Sequence, residues 1–452
     1  MGGGLMQLVA YGAQDIYLTG NPQITFFKVV YRRHTNFSME AIEQTFNGSA
    51  DFGKRVTCTV SRNGDLMHRV YLQVTVPKTK ASAEGGRWLN HLGHVLIKYA
   101  EVEIGGQRID KHYGDWMHIW NELSQESGKK AGYANMIGNV PALTLPATGS
   151  SDYVPEMDLY IPLEFWFCRN PGLALPLIAL QYHEVKINLE FRAFTECSHA
   201  LDAASLEAAS LFVDYIYLDT DERRRFAQVS HEYLIEQVQF TGDESVSSVS
   251  NKIKLNFNHP CKELIWVVQK DSVLDASGGK QWFNYTDAED SSWQTGTPSD
   301  PYGGGLTGTF VTQSTTSSPD ASFPTSTGSD TAQYMRWTDK DSGFNPVFSA
   351  KLQLNGHDRF SERMGRYFNL VQPYQHHTNV PATGINVYSF GLKPEEHQPS
   401  GTCNMSRIDN ATLQLTLTAN TVDNSDAKVR VYATNYNVLR IMSGMGGLAY
   451  SN

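Results

Sequence analysis

The sequence contains little cysteine and no long hydrophobic run. Its 5 cysteines are widely spaced and form no C-x-x-C pair, so they predict neither a disulfide framework nor a zinc ribbon. Such usage is typical of a protein that folds in a reducing compartment. No run of about 18 apolar residues is present, and the first residues lack the charged-then-apolar layout of a signal peptide. We therefore expect a soluble protein.

Positive charge is also scarce. The 37 Lys and Arg residues are outnumbered by 47 Asp and Glu residues, which gives a net charge of −10. A nucleic-acid-binding protein needs a basic face. The one dense basic segment, Arg223-Arg224-Arg225, is explained as well by a solvated helix face. We predict no direct contact with nucleic acid.

Short runs of β-branched and aromatic residues dominate the chain, and several alternate between apolar and polar positions, as in Val70–Val76 and Leu413–Leu417. Glycine-containing pairs typical of tight turns separate them, among them Gly105-Gly106 and Asn355-Gly356. Helical patterns are few. This organisation predicts an all-β fold with long loops and a few short helices.

Three short helices are predicted. Asp115–Glu126 carries an apolar stripe at helical spacing that would lie on a sheet edge. Asp219–Glu222 resembles a capping box that opens a helix through Phe226, between the two halves of the chain. A third helical pattern covers Asp358–Phe368.

The two halves of the chain follow the same pattern. Val60–Val74 corresponds to Leu255–Gln269 at an offset of 195, and Val102–Gly106 corresponds to Leu352–Gly356 at an offset of 250. Six further positions share an offset of 228, namely Tyr160/Tyr388, Pro171/Pro399, Leu180/Ile408, Val185/Leu413, Ile187/Leu415 and Leu189/Leu417. A duplication with fixed strands and variable loops explains these offsets. It predicts that Ile187 and Leu415 are buried at equivalent positions.

The length of 452 residues allows at least two domains. We predict an N-terminal arm at residues 1–24, a first sandwich at 25–220 and a second at 221–452. Within the second, residues 269–347 are rich in Gly, Ser, Thr and Pro, which predicts a long surface loop.

Known catalytic signatures are absent. His183-Glu184 and His231-Glu232 begin like the zinc-protease pattern H-E-x-x-H, but Ile187 and Ile235 stand where the second histidine is required. The sequence around Ser443 lacks the first glycine of a G-x-S-x-G nucleophile elbow. We predict no catalytic residue and no cofactor-binding residue.

Two histidine groups have spacings that suit metal ligands: His91 with His94, and His112 with Asp115 and His118. Such groups are commoner as surface polar residues, so we assign no metal site, and we treat the pair His376-His377 in the same way. Five Asn-x-Ser/Thr sequences occur. Asn284 is the candidate glycosylation site, because it falls in the predicted surface loop and is expected to be the most accessible.

Long segments in both halves resemble the major capsid proteins of large icosahedral double-stranded DNA viruses (nucleocytoplasmic large DNA viruses). The resemblance is strongest to the phycodnavirus type, from viruses of chlorella-like algae. It is carried by these segments: Leu8–Phe37, Ser61–Leu66, Glu103–Tyr113, Pro171–Lys186, Arg225–Gln228, His231–Gln237, Pro399–Asn404, Ser406–Leu413 and Asn435–Tyr450.

This resemblance implies a double jelly roll, with two eight-stranded sandwiches in tandem. It implies a homotrimer that forms a pseudo-hexagonal capsomer and tiles the icosahedral shell of the virion, after assembly in the host cytoplasm. Neighbouring capsomers and minor capsid proteins are the expected partners, with an internal membrane reached through the minor proteins. Contact with a host surface through the outer loops is an open second role.

Two alternatives remain. A low-copy capsid paralogue at specialised shell positions would have a similar sequence. A double β-sandwich that binds or hydrolyses glycans could use exposed aromatic side chains such as Trp282 and Trp293 for stacking on sugars. No acid pair or calcium-binding pattern supports the second alternative, so we expect a structural protein and not an enzyme.

Overall fold

The computed structural model describes the following residues: 34–147, 149, 152–275, 279–287, 345–423, 426–450 and a few isolated positions before 28. Residues 38–452 form one compact unit and residues 1–37 form another. The predicted arm, 1–24, lies almost entirely outside the described residues, so it stays a prediction.

The first half contains two large sheets and two small two-stranded ones. The main strands of the large sheets are β1 (Phe37–Gln44), β2 (Arg55–Thr59), β3 (Leu66–Val76), β4 (Ile97–Ile104), β5 (Gln107–Tyr113), β6 (Met157–Leu163), β7 (Val185–Phe191) and β8 (Ala208–Leu218). One sheet has the order β1-β8-β3, with β6 also paired to β3, and the other has the order β2-β7-β4-β5.

The second half repeats this arrangement. Its strands are β9 (His231–Val246), β10 (Ser250–Leu255), β11 (Pro260–Lys270), β12 (Val347–Leu354), β13 (His357–Asp358), β14 (Asn386–Ser389), β15 (Ala411–Leu417) and β16 (Ala427–Met442). The sheets have the orders β9-β16-β11-β14 and β10-β15-β12-β13. Each half is thus a jelly roll of two sheets, which we call the first roll (β1–β8) and the second roll (β9–β16). The predicted fold class, an all-β double jelly roll, is confirmed.

Short elements connect these strands. Two-residue to four-residue strands lie at Thr79–Lys80, Arg87–Trp88, Tyr153–Val154, Leu175–Pro176, Ser198–His199, Arg363–Met364, Cys403–Asn404 and Met445–Leu448. The α-helices are α1 (Leu92–Leu96), α2 (Gly114–Ser124), α3 (Lys130–Met136), α4 (Pro141–Thr144), α5 (Trp166–Arg169), α6 (Phe194–Cys197), α7 (Thr220–Gln228), α8 (Gln372–His376) and α9 (Ala419–Val422). Turns of 3₁₀ or π-helix lie at Ser127–Lys129, Pro171–Leu173, Asp271–Leu274, Tyr367–Val371 and Met405–Arg407. No helix within the described residues has both the length and the apolar character needed to cross a bilayer.

Two of the three predicted helices are confirmed. Helix α2 carries the predicted apolar stripe, and α7 begins at the predicted cap, where the Asp219 carboxylate accepts a hydrogen bond from Thr220 N. The third prediction, Asp358–Phe368, is wrong over most of its length. That interval contains the last residue of β13 and the short strand Arg363–Met364, because the chain folds back on β12, and helical structure begins only at its end, in the turn Tyr367–Val371.

Equivalent hairpin turns occur in both rolls. Gly105 and Gly106 have φ angles of 58° and 87°, and Asn355 and Gly356 have φ angles of 50° and 81°. Positive φ at both central residues is the type I′ geometry that matches the twist of paired strands. The offset of 250 therefore relates the same turn in both copies.

The register of β7 and β15 corrects one predicted offset. Ile187 lies opposite Val102, and Leu352, the counterpart of Val102, lies opposite Leu413. The offset in this strand is therefore 226 (413 − 187), and the predicted partner Leu415 is wrong by two residues. A shift of two returns each side chain to the same face of a strand. Ile187 and Leu415 are accordingly both buried, at 0% and 1% exposure, as predicted.

Truncating either equivalent core residue is expected to destabilise the fold. Ile187→Ala and Leu413→Ala should each lower the free energy of unfolding by about 2–5 kcal/mol, because each leaves a cavity in a closed core. Thr412→Ala, on the opposite face of β15, should cost less than about 1 kcal/mol. Urea unfolding at fixed chain concentration measures all three. A Leu413→Ala cost no larger than that of Thr412→Ala would contradict the burial of Leu413 in the core of the second roll.

The structure departs from the predicted surface loop, 269–347, in the first part of that interval. Strand β11 extends to Lys270 and a 3₁₀ turn follows. Phe283 and Tyr285 are buried in the core cluster of the first roll, so this part of the interval is not on the surface. Residues 288–344 lie outside the described residues, and a projecting loop there stays a prediction.

Candidate functional site: the junction between the two rolls

Strand β11 faces two cores at once. Its residues Leu264, Trp266 and Val268 lie in the core of the second roll, whereas Ile265 and Val267 lie in the core cluster of the first. Because strand side chains alternate between faces, this sheet is covered on both sides. The continuous apolar run L-I-W-V-V in the sequence is the signal expected for such a strand.

The equivalent strand of the first roll, β3, has one covered face. Its burial alternates from Val70 to Val76, with Tyr71 and Gln73 only half-buried. Tyr71 stacks on Phe212 of β8, with ring centroids 5.2 Å apart and an interplanar angle of 2°. Tyr160 on β6 extends this aromatic patch and is 38% exposed. Equivalent sheets in one chain therefore differ in what covers their outer faces.

Helix α2 of the first roll packs on the outer face of the second roll's sheet. The Trp116 ring lies 5.6 Å from that of Tyr432, and Phe240 stacks on Tyr432 at 4.8 Å. The Trp120 ring lies under the guanidinium of Arg169, at 4.1 Å. The apolar stripe of α2 thus fills the junction between the rolls.

Buried charges also join the rolls. Arg430 on β16 lies 3.4 Å from Asp115 on α2 and 2.9 Å from Asp243 on β9, and Arg192 lies 3.7 Å from the same Asp115. Burial alone would lower the pKa of Arg430, but the neighbouring carboxylates outweigh it and raise the pKa. The guanidinium therefore stays charged and fixes the position of α2 on the sheet.

A second charged group lies at the same junction. The Glu236 carboxylate is 3.0 Å from Arg169 of the first roll and 3.0 Å from Lys262. Burial raises the pKa of Glu236, but hydrogen bonding from His397 and the two cations lower it overall. Burial lowers the pKa of Lys262, which is 2% exposed. Removing one member of such a group would leave an uncompensated buried charge.

The C-terminal hairpin completes the junction. Tyr182 N donates to Gly444 O at 2.9 Å, and Leu448 N donates to the Gln107 side-chain oxygen at 3.2 Å. Gly444 has a φ of 80°, and a side chain there would collide with the Tyr182 ring. The glycine-rich end of the chain therefore binds the first roll.

The structure groups the histidines differently from the prediction. His112 lies 2.9 Å from Asp110 and Asp115 pairs with arginines, so neither lies with His118. Instead, His91, His94 and His118 converge, with one ligand nitrogen of each within 4.8 Å of the others. All three are buried, which corrects the expectation of surface residues. Burial lowers the pKa of His91 to about 4 and of His94 to about 3, so both are neutral near pH 7.

His376 and His377 make different kinds of contact. His376 hydrogen-bonds to Leu392 O at 2.9 Å. The His377 ring lies between two carboxylates, 2.8 Å from Glu263 and 2.9 Å from Glu395. Burial alone would lower the pKa of His377, but the two carboxylates raise it to about 9. His377 is therefore a buried cation that links β11 to the segment after α8.

The charge on His377 predicts a pH-dependent contribution to stability. Because its pKa in the folded chain is above the unfolded value of about 6.5, the contribution is complete below pH 6.5 and is lost as pH rises through about 9. Within this window it should decline by up to about 1.4 kcal/mol per pH unit. His377→Gln should remove that slope. Unfolding free energies of both proteins from pH 6 to 10 provide the test, and parallel curves would contradict it.

Asn284, the candidate glycosylation site, is not accessible in the described structure. It is 4% exposed, and its side-chain amide donates to the Gln281 side chain at 2.6 Å. The surrounding segment packs on the first roll, which is why a position predicted to be on a surface loop is covered. Its modification stays an untested prediction.

Comparison with known proteins places this architecture in a family. A family model described as "Major capsid protein N-terminus" matches residues 25–219, and one described as "Large eukaryotic DNA virus major capsid protein" matches residues 222–447. The major capsid protein of Phaeocystis pouchetii virus is 57% identical, and that of Paramecium bursaria Chlorella virus 1 is 44% identical, each over 100% of both chains.

Solved structures of viral capsid proteins also match this chain. VP54 of PBCV-1 matches with a TM-score of 0.74 and 40% identity, over 95% of this chain and 100% of that chain. The Faustovirus major capsid protein matches with a TM-score of 0.72 at 13% identity, over 96% of this chain and 94% of that chain, which shows the shared fold alone.

Both family models describe capsid components rather than enzymes, and the full-length relatives are capsid proteins. The sugar-hydrolysing alternative is therefore set aside, and the junction described above is part of a building block. The chain belongs to the major capsid proteins of large eukaryotic DNA viruses, and it is a structural component of the virion capsid.

Proposed function

We propose that three copies of this chain form a closed trimer with six similar lobes, which serves as the pseudo-hexagonal capsomer of the shell. The observation that carries the proposal is the unequal covering of two equivalent sheets. The sheet of β11 is covered by the first roll of its own chain, whereas the sheet of β3 keeps a half-buried aromatic face. A second roll from a neighbouring chain would cover that face in the same way.

The second roll carries a segment suited to that contact. Helix α2, which covers the β11 sheet, follows the hairpin β4–β5. The equivalent segment after β12–β13 presents apolar side chains to solvent: Met364 is 48% exposed, Tyr374 80% and Val380 42%. In a head-to-tail ring, this segment of one chain meets the β3 face of the next, and three such contacts close the ring.

The same arrangement gives roles to the other predicted segments. The first roll at 25–220 and the second at 221–452 supply alternate lobes, and the part of the predicted loop that lies outside the described residues, 288–344, projects from the outer end of the capsomer. The arm at 1–24 contacts neighbouring capsomers or minor capsid proteins at the inner end, above an internal membrane that is reached through the minor proteins. Assembly takes place in the host cytoplasm.

Negative-stain electron microscopy of the purified protein tests this proposal. Particles with six lobes around a central axis are expected in end view. The Arg440→Leu variant, which alters an exposed ion pair of β16, serves as a control and should give the same images. Particles with only two lobes would contradict the proposal.

A further inference from the structure

We propose that His91, His94 and His118 bind one transition-metal ion, with Zn²⁺ as the preferred ion, beneath Phe283. One ligand nitrogen from each ring lies within 4.8 Å of the other two. Zn²⁺ bound to three imidazoles at about 2.0–2.1 Å requires nitrogens about 3.4 Å apart. Small rotations of the side chains therefore close the group around an ion.

The hydrogen bonding of the three rings points to a missing ligand. Within the described residues, Nδ1 of His91, Nδ1 of His94 and both ring nitrogens of His118 have no hydrogen-bond partner. His94 and His118 are 0% exposed. A neutral imidazole always carries one N–H, and leaving a buried donor or acceptor unpaired is unfavourable. A bound ion supplies the missing partner on each ring.

One of the other nitrogens has a partner of the kind found around metal ligands. His94 Nε2 lies 2.7 Å from the Tyr133 hydroxyl, whose oxygen can accept its N–H. Such a contact fixes the ring orientation and leaves the opposite nitrogen facing the ion. It assigns Nδ1 of His94 as the ligand atom.

The backbone brings the three residues together by specific means. His91 adopts a left-handed conformation, with φ 53° and ψ 45°, immediately before α1, and His94 lies within α1. A side chain at Gly114 would collide with the backbone oxygens of His94 and Ile97, so glycine lets α2 approach α1 closely. That approach places His118 between the other two rings, at centroid distances of 4.7 and 5.9 Å.

The ligand set favours zinc. Three neutral imidazoles, without a carboxylate or thiolate in the group, suit Zn²⁺ and leave its fourth position for water. Phe283 stacks on His118 with centroids 4.3 Å apart and shields the group. Because Phe283 belongs to the segment that follows β11, the ion would join α1 and α2 beneath a part of the second half of the chain.

Metal analysis of the purified protein tests the site. After exposure to ZnCl₂ and gel filtration, the native chain should retain about one zinc ion per chain, since the described residues contain one such group. His118→Phe keeps an aromatic ring against Phe283 and should reduce bound zinc to background. His357→Gln, which changes an exposed histidine, should leave the zinc content unchanged.

A second readout separates a metal site from a purely aromatic core. Chelation should lower the melting temperature of the native protein, zinc should restore it, and His118→Phe should respond to neither. Co²⁺ loading should give the visible absorption of a four-coordinate site. Background zinc in the native protein with a melting temperature unaffected by chelator would overturn the proposal, as would equal zinc retention by His118→Phe.

Discussion

Replacing Phe212 with Glu is expected to leave the purified protein as a monomer. Phe212 lies with Tyr71 on the half-buried face of the first roll, where the next chain is proposed to pack. A carboxylate buried there without a partner should weaken each contact by at least about 3 kcal/mol, which is more than a hundredfold in its association constant. Because the face is open within a single chain, the fold itself should be retained.

Two further variants sharpen this prediction. Tyr374→Glu alters the proposed opposite side of the contact and should have the same effect on mass. Val249→Glu changes an exposed apolar residue at the β9–β10 turn and should leave the trimer intact. Sedimentation velocity distinguishes the outcomes. A trimeric Phe212→Glu protein would mean that the aromatic face lies outside the contact.

Replacing Arg430 with Leu is expected to cost about 3–5 kcal/mol of folding free energy. The change leaves the buried Asp115 carboxylate without its partner on β16, and that cost is typical of a broken buried ion pair. Arg440→Leu, which breaks the exposed pair with Glu232, should cost less than about 1 kcal/mol. Urea unfolding must be compared at one chain concentration, because assembly shifts apparent stability.

The double variant Asp115→Leu/Arg430→Leu tests the pairing directly. Removing both charges means that neither Asp115 nor Arg430 is left facing a missing partner, so the combined cost should be well below the sum of the two single costs. Additive costs would show that Arg430 acts through Asp243 or Gln269 rather than through Asp115.

Much of the fold could be predicted because the chain repeats its strands with their local patterns intact. The offsets of 195 and 250 agree with the observed pairing. Strands β10 and β12 pair with β15 in the same register in which β2 and β4 pair with β7 in the first roll. The third offset was wrong by two residues because an alternating strand looks the same after an even shift. Only the cross-strand partners of Leu413 resolve that ambiguity.

The junction was harder to predict, although one signal was present. The uninterrupted apolar run Leu264–Val268, compared with the alternating Val70–Val76, indicates that only one of the two equivalent sheets is covered on both faces. The pairing of Asp115 with Arg430 leaves no local pattern in one sequence. The same holds for His91 and His118, whose proximity depends on the approach of two helices.

The solution mass of the purified protein, measured by light scattering, tests whether three chains form one capsomer. We expect a species near three times 50.5 kDa, which is the mass of one chain. A stable particle of 50.5 kDa at the concentrations used for assembly would contradict it, because the open aromatic face of the first roll would then have no partner.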